Sequence, residues 1–202
     1  MNFKDDFNFL GRVDISPLQK RVAALSDEDW SEDQARQEKF EAHTDTQTIK
    51  LLFDADYRHQ DPTPHPALDE FRPVIKPLLH HVEENYNKTL RQRKIIAKFG
   101  PGYFIRIILT RLAPHSQITQ HVDDGHSLKC CHRIHMPVIT NEKCVFHVGA
   151  SSKTLRAGEL WEINNRRVHA VGNDGDAARV HLIMDYVQPG ERVFDIEGPL
   201  TA

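Results

Sequence analysis

The feature that most constrains the fold is a regular series of short apolar segments in the second half of the chain. They lie at residues 103–112, 118–122, 133–139, 144–148, 153–156, 159–163, 167–171 and 179–187. Turn-forming sequences such as Asp124-Gly125, Asn164-Asn165 and Gly172-Asn173-Asp174-Gly175 lie between them. Strands at this spacing with such turns are typical of a β-sandwich or barrel. We therefore predict a jelly-roll-like double sheet in this half.

The first half carries helical patterns instead. Ser16-Pro17 combines an N-cap with a proline at the first helical position, and the charged segment 26–40 is predicted as a second helix. Residues 48–53 are predicted as a strand. Apolar side chains then recur at steps of three and four, which indicates a longer helix over residues 68–82.

Pro73 and Pro77 fall inside that longer helix and are expected to kink or split it. The prediction is thus a mainly β protein with a helical N-terminal part over residues 1–92. A segment carrying Trp30, Arg36 and His43 is expected to fold over the mouth of the barrel as a lid.

Length and composition narrow the function classes. The 202 residues are typical of one domain, and the net charge of −3 argues against a nucleic-acid-binding protein that relies on a basic face. No apolar run approaches the roughly 20 residues that span a bilayer, and the acidic start lacks the pattern of a signal peptide. Three cysteines in a chain of this size favour a reducing compartment, so we expect a cytoplasmic protein. From the charge and the lack of a long apolar run, we expect no nucleic-acid or membrane partner.

Histidine is over-represented, with 13 residues in the chain and eight of them between His115 and His181. Because side chains alternate along a strand, His121 and Asp123 point to the same side. His169 opens another apolar segment and supplies a possible third ligand. Two histidines and one carboxylate form the facial triad of non-haem Fe(II) oxygenases.

Arginines inside apolar strands give this triad a chemical context. Arg179 and His181 share one face of a predicted strand, and Arg133 and His135 share one face of another. An arginine there is unfavourable to bury unless it is paired, and its planar fork suits a carboxylate. A pocket with these side chains is suited to a small dianion.

Three segments together resemble the aspartyl/asparaginyl β-hydroxylase family of Fe(II)- and 2-oxoglutarate-dependent dioxygenases. They are Arg133-Ile134-His135-Met136-Pro137, Gly158 through Val171, and Arg179 through Asp185. The resemblance covers about residues 103–187 and implies a double-stranded β-helix, a cupin-like jelly roll, over residues 93–190. The whole chain, residues 1–202, is then one dioxygenase domain, with residues 191–202 as a tail.

The resemblance also implies cofactors and roles. Fe(II) is expected on His121, Asp123 and His169, with 2-oxoglutarate and O₂ as cosubstrates. Arg179 corresponds to the arginine that binds the distal carboxylate of 2-oxoglutarate, and Arg133 and His135 correspond to the pair that faces the cosubstrate and substrate pocket. The expected reaction hydroxylates a C–H bond of an amino acid, or of an Asp or Asn side chain in a short peptide.

Alternatives stay open at this stage. A cupin-like module that binds a metal or a small acid without turnover, or a Zn²⁺-dependent hydrolase, would use the same three ligands. Asp124 and His126 are rival ligands in a predicted turn, and His147 is a candidate for the cosubstrate side of the pocket.

Overall fold

A computed structural model describes residues 3–32, 44–54, 59–123 and 125–191. The strands are β1 (Phe7–Arg12), β2 (Thr46–Phe53), β3 (Thr63–Pro64), β4 (Tyr103–Leu112), β5 (Ser116–His121), β6 (His132–Ile139), β7 (Cys144–Val148), β8 (Ser151–Lys153), β9 (Glu159–Ile163), β10 (His169–Asn173) and β11 (Arg179–Val187). The helices are α1 (Ser16–Ala23), α2 (Asp27–Ser31), α3 (Ala67–Tyr86), α4 (Leu90–Phe99) and α5 (His126–Lys129).

Two antiparallel sheets form the body of the protein. The larger sheet has the order β1-β9-β6-β11-β4-β2-β3 and the smaller has the order β5-β10-β7-β8. From β4 to β11 the chain passes back and forth between the two sheets, with β7 and β8 as a hairpin in the smaller one. This alternation is the jelly-roll topology that the strand series predicts, so the fold class is confirmed.

The central strands of the larger sheet are buried on both faces. In β11 every residue is buried. The outward-facing residues are Val180, Leu182, Met184 and Tyr186, which belong to the main apolar core. The alternating residues are Arg179, His181, Ile183 and Asp185, on the opposite face of the same strand. Three of these four inner positions therefore carry a polar or charged side chain, and Ile183 is the apolar exception.

Helices α1 and α3 cover the outer face of the larger sheet. Helix α3 directs Phe71, Ile75 and Val82 into the main core together with outward-facing residues of the strands. The expectation that prolines split this helix is wrong, because one helix runs from Ala67 to Tyr86. Pro73 and Pro77 are exposed, on the side of the helix away from the sheet. Each proline removes one backbone donor without disturbing the packed face.

Some elements differ from the sequence prediction. Strand β1 was not predicted, and it extends the larger sheet by pairing with β9. Helix α4 overlaps the start of the predicted jelly-roll core, residues 93–190, and ends before the first predicted strand. A capping box between Thr89 and Gln92 begins this helix. Of the charged segment 26–40, the described part forms α2, and Arg36 and His43 lie outside the described residues.

Of the three residues named for the expected lid, only Trp30 lies in the described ranges. Trp30 of α2 is buried in the main core, and the Arg111 guanidinium lies 5.0 Å from the centre of its indole ring. Both belong to the outer side of the larger sheet. None of the helices in the described ranges has the length and apolar character that crossing a membrane requires.

The helix-to-sheet contact generates a stability prediction. Ile75 is fully buried between α3 and the larger sheet, so Ile75→Ala is expected to lower the free energy of unfolding by about 2–5 kcal/mol. Lys76→Ala, on the exposed side of the same helix, is the control and is expected to change it by less than about 0.5 kcal/mol. Urea unfolding measures both, and equal effects would contradict the packing.

The buried His132 and the Glu162 carboxylate link three strands of the larger sheet. His132 Nδ1 lies 2.6 Å from Glu162 Oε1, and Asn8 donates to Glu162 Oε2 at 3.0 Å, so β1, β6 and β9 meet at one carboxylate. Burial lowers the pKa of His132, but hydrogen bonds to Glu162 and Glu191 and their charges outweigh burial and raise it to about 9. His132 is therefore cationic at neutral pH.

This pKa shift predicts how stability depends on pH. Since the folded pKa lies above the unfolded value of about 6.5, His132 stabilises the fold fully below that pH. We expect this contribution, about 3 kcal/mol at most, to be lost as the pH rises from about 6.5 through about 9. Urea titrations of the metal-free protein across this range measure the loss. Glu162→Gln should flatten the pH dependence, and an unchanged slope would contradict the assignment.

Candidate metal centre

Strand pairing brings the two predicted metal histidines together. His121 ends β5 and His169 begins β10, and the two are direct partners in the antiparallel register. Their ring centroids lie 4.2 Å apart. Asp123 follows two residues after His121, and its backbone N–H donates to Asn165 O at 3.2 Å. The ligand atoms of the three side chains all lie within 4.8 Å of one another.

Backbone carbonyls orient both imidazole rings. His121 Nδ1 lies 2.8 Å from Thr119 O, and His169 Nδ1 lies 3.0 Å from Arg167 O. A protonated Nδ1 donates to the carbonyl and leaves Nε2 with a free lone pair. Burial lowers the pKa of His169 although Asp123 acts in the opposite direction, so this ring is neutral at pH 7. Both histidines thus present the nitrogen that a metal binds.

This donor set fits a divalent transition metal. Two imidazoles and one carboxylate match the facial triad of non-haem iron sites. Across residues 3–32, 44–54, 59–123 and 125–191, no other group of three His, Cys, Asp or Glu side chains has ligand atoms placed this closely.

Arg179 is a buried cation with spare donors. It is 1% exposed, and Nη2 donates to His181 Nδ1 at 2.7 Å. Nε and Nη1 have no hydrogen-bond partner among the described residues. Burial lowers the pKa of Arg179 to about 10, which leaves it charged at neutral pH. A buried charge without a counterion is unfavourable, so this guanidinium is suited to an anionic ligand.

His181 is neutral beside this cation. Burial, then the charge of Arg179, then His135 lower its pKa well below 6.5. Its Nδ1 accordingly accepts the hydrogen bond from Arg179, and the acceptor helps to fix the plane of the guanidinium. The inner face of β11 therefore holds one cation in a defined orientation.

One cavity connects the histidines with Arg179. Its lining residues are Thr46, Thr110, Ile118, His121, Arg133, His135, Phe146, His169, Val171, Arg179 and Ile183. The buried Thr110 hydroxyl has no hydrogen-bond partner in the described ranges. The cavity thus offers metal-binding nitrogens and unpaired donors from Arg179 and Thr110, while Ile118, Val171, Phe146 and Ile183 supply apolar walls. Sites for small ligands usually combine these properties.

Arg133 differs from Arg179 although both were predicted to face this cavity. Arg133 donates from Nε and Nη2 to the two oxygens of Asp185, both at 2.8 Å, and from Nη1 to Asp123 Oδ2 at 2.7 Å. Burial lowers the pKa of Arg133, but these carboxylates outweigh burial and raise it well above its usual value. Its charge is already balanced within the protein.

Sequence reasoning missed four residues whose polar contacts lead away from Arg133, namely Asp185, Arg106, Asp54 and His59. For Arg106 and Asp185 a signal existed. Arg106 lies in the apolar β4, and Asp185 has the same strand parity as Arg179. For Asp54 and His59 the sequence carries no signal, because only the tertiary structure brings the end of β2 next to β4.

The rival candidates do not join the metal centre. His126 is exposed at the start of α5, with its ring centroid 5.6 Å from that of His59. His147 is exposed on β7 and bonds Ser152 Oγ at 2.7 Å, while its neighbour Phe146 lines the cavity. The cosubstrate-side role considered for His147 is therefore wrong. Asp124 lies outside the described residues.

Comparisons with known proteins concern the family and the fold. Residues 74–189 match the model of the family described as aspartyl/asparaginyl beta-hydroxylase. No curated protein sequence matches the chain. Two solved structures share the fold at 14% identity each. One is a 2OG-Fe(II) oxygenase family oxidoreductase from Burkholderia pseudomallei, with a TM-score of 0.54 over 88% of this chain and 81% of that one. The other is a Pseudomonas putida prolyl-4-hydroxylase, with a TM-score of 0.53 over 93% and 95%.

The geometry predicts the effect of removing one ligand. His169→Ala is expected to weaken Co(II) binding by more than about a hundredfold, since changes to mere outer-shell partners already cost about 10- to 100-fold. His147→Ala removes an exposed histidine from the neighbouring strand and should leave the affinity unchanged. Isothermal titration calorimetry of the metal-free proteins makes the comparison. Equal losses in both variants would disprove the site.

Proposed function

This chain belongs to the aspartyl/asparaginyl β-hydroxylase family, and from that premise we propose that it is an Fe(II)- and 2-oxoglutarate-dependent dioxygenase. His121, Asp123 and His169 would hold Fe(II), and Arg179 would bind the far carboxylate of 2-oxoglutarate. When bound, these groups and O₂ supply the oxidising chemistry that hydroxylates a C–H bond and releases succinate and CO₂.

The observation that carries this proposal is the spare donor capacity of Arg179. Its Nε and Nη1 have no hydrogen-bond partner in the described part of the chain, and they lie in the cavity that the metal histidines also line. Because Nε–H and Nη1 lie on opposite edges of the guanidinium, a bidentate contact with a carboxylate would pair one of them with the second N–H of Nη2. Thr110, on the strand beside β11, offers a hydroxyl to the same ligand.

The protein's own residues supply orientation and a dry environment. The carbonyls of Thr119 and Arg167 keep Nε2 of each imidazole free for the metal. Ile118, Val171 and Ile183 keep water away from the space between the metal ligands and Arg179. Charge interactions are stronger in such surroundings, which favours the binding of an anion there.

Arg133 and His135 line the same cavity, and we propose that they contact the cosubstrate or the substrate. The guanidinium of Arg133 keeps a second N–H on each Nη beyond its bonds to Asp123 and Asp185. Because its charge is already balanced, it would contribute hydrogen bonds, and Arg179 would supply the positive charge for the cosubstrate.

The proposed substrate is an amino acid, or an Asp or Asn side chain in a short peptide. The family description supports this class. We also propose that residues 1–202 work as one domain, because β1 and β2 complete the same sheet as the barrel strands. Cys130, Cys131 and Cys144 are all free thiols, which supports a reducing compartment such as the cytoplasm.

Arg179 also favours this function over the alternatives. A zinc-dependent hydrolase needs the three ligands and a water molecule, and it has no use for a buried cation in the same cavity. A module that binds only a metal would likewise need only the ligands, whereas a module that binds a small acid would use Arg179 and would differ by forming no product. The 2-oxoglutarate dependence of the reaction therefore separates the candidates.

The test compares Arg179→Lys with the native protein. Lysine keeps the charge but loses the planar fork, so KM for 2-oxoglutarate is expected to rise about 10- to 100-fold, the loss of one or two charge-assisted hydrogen bonds. Succinate formation is measured with Fe(II), ascorbate and a panel of amino acids and Asp- or Asn-containing peptides.

Arg111→Lys provides the matched control, because Arg111 lies on the outer face of the adjacent strand and bonds Asp27. Its KM should stay within about twofold of the native value, as is usual for surface substitutions. No 2-oxoglutarate-dependent succinate from the native protein would reject the proposed function. An unchanged KM in Arg179→Lys would reject only the role of Arg179.

A further inference from the structure

A chain of buried ion pairs leads away from the metal centre across the larger sheet. It consists of Asp123, Arg133, Asp185, Arg106 and Asp54, and we call it the ion-pair chain. Each of its members is less than 10% exposed. Carboxylate and guanidinium alternate along it, so every charge touches a charge of opposite sign.

Asp185 is the centre of the chain. It receives Arg133 Nε and Nη2 at 2.8 Å each and Arg106 Nη1 at 2.9 Å. The residue has no exposed surface, and its partners lie on the two strands that flank β11. Asp185 therefore fixes the plane of the Arg133 guanidinium, and Arg133 in turn holds Asp123 Oδ2 at 2.7 Å.

The far end of the chain lies in the N-terminal part. Arg106 Nη2 donates to Asp54, which follows β2, and to Ser127 Oγ at 3.2 Å. Asp54 Oδ2 also bonds His59 Nδ1 at 2.8 Å, and the Phe53 ring lies 4.7 Å from the Arg106 guanidinium. The guanidinium of Arg106 is thus held by four groups, two of which come from the end of β2.

Stability alone does not account for this arrangement. Buried ion pairs lose much of their attraction to desolvation, and apolar side chains of similar volume often serve a core better. The other face of these strands is packed in that apolar way. The charged residues instead form a continuous path that ends on the one carboxylate of the candidate metal centre.

We propose that the ion-pair chain positions Asp123 for metal binding, with Asp185 as its central positioning residue. Through Asp54 the N-terminal part then contributes to metal affinity although it supplies no ligand. The histidine ligands are held by carbonyls of their own strands, whereas Asp123 depends on residues far away in sequence. This inference rests on the proposed metal site.

Asp185→Asn tests the central position. The amide keeps the shape but directs an NH₂ group at an arginine donor, so the Arg133 guanidinium loses its fixed plane. Co(II) affinity is expected to fall about 10- to 100-fold, the range for partners that orient metal ligands. Arg106→Lys should show a smaller loss in the same direction, since an ammonium cannot reach Asp185 and Asp54 in the geometry of the guanidinium. Glu159→Gln, which breaks an ion pair with the exposed Arg12, is the control and should leave the affinity unchanged.

A double-mutant cycle separates positioning from a general loss of structure. In the Asp123→Ala background, Asp185→Asn should change Co(II) affinity by less than about twofold, because the residue through which it acts is gone. A purely structural role would lower the affinity by the same factor in both backgrounds and would overturn the inference. The visible spectrum of bound Co(II) should change in Asp185→Asn and stay the same in Glu159→Gln.

The outcomes distinguish this inference from the function it rests on. If the native protein binds no Co(II), the proposed metal site fails. If the native protein binds Co(II) and Asp185→Asn and Arg106→Lys bind it equally well, only the positioning role fails. Should Asp185→Asn not fold, Arg106→Lys alone and in the Asp123→Ala background decides the question in the same way.

Discussion

The charged inner face of the larger sheet is the constraint on which the rest of the structure depends. Its strands carry arginines, histidines and an aspartate toward the cavity, and these groups cannot supply apolar packing. The opposite face therefore has to provide the hydrophobic stabilisation, and α1 and α3 cover it completely in the central strands. The helices of the N-terminal part are in this sense a requirement of the site, because without them the apolar outer face of the central strands would be exposed.

Two arginines with the same sequence signal differ in what they can bind. Arg133 and Arg179 both lie inside apolar strands and both reach the same cavity. Arg133 donates hydrogen bonds to two carboxylates of the protein, while the neutral His181 is the one hydrogen-bond acceptor of Arg179 among the described residues. The difference lies in the side chains that the fold places beside each guanidinium, which are Asp185 and Asp123 beside Arg133 but His181 beside Arg179. A sequence pattern can therefore indicate a buried cation, but only the tertiary structure shows which cation is left for a ligand.

The sequence predicts those parts of the fold that depend on local patterns. The bounds of β4 and β11 agree with the predicted apolar segments. His121 and Asp123 lie close together, but Asp123 follows the end of β5, so strand alternation is not the reason. Strand β1 escaped prediction because Phe7–Arg12 mixes polar and apolar residues and acquires its structure by pairing with β9. The effect of the prolines in α3 was overestimated because the local rule ignores that both lie on the exposed side of a helix held by its packed face.

The three side chains of the candidate metal centre also differ in whether nearby or distant residues hold them in place. His121 and His169 each use the carbonyl two residues before them, so the same local arrangement on β5 and β10 selects the same ring nitrogen. Direct pairing of the two residues in the sheet register then brings both nitrogens to one point. Asp123 lies beyond the end of its strand. Its carboxylate accepts hydrogen bonds, so a backbone carbonyl cannot orient it. The guanidinium of Arg133 on β6 orients the carboxylate instead, and Asp185 in turn holds that guanidinium in place. This explains why a residue pattern predicts the ligands of the centre but not the residues that hold Asp123 in place.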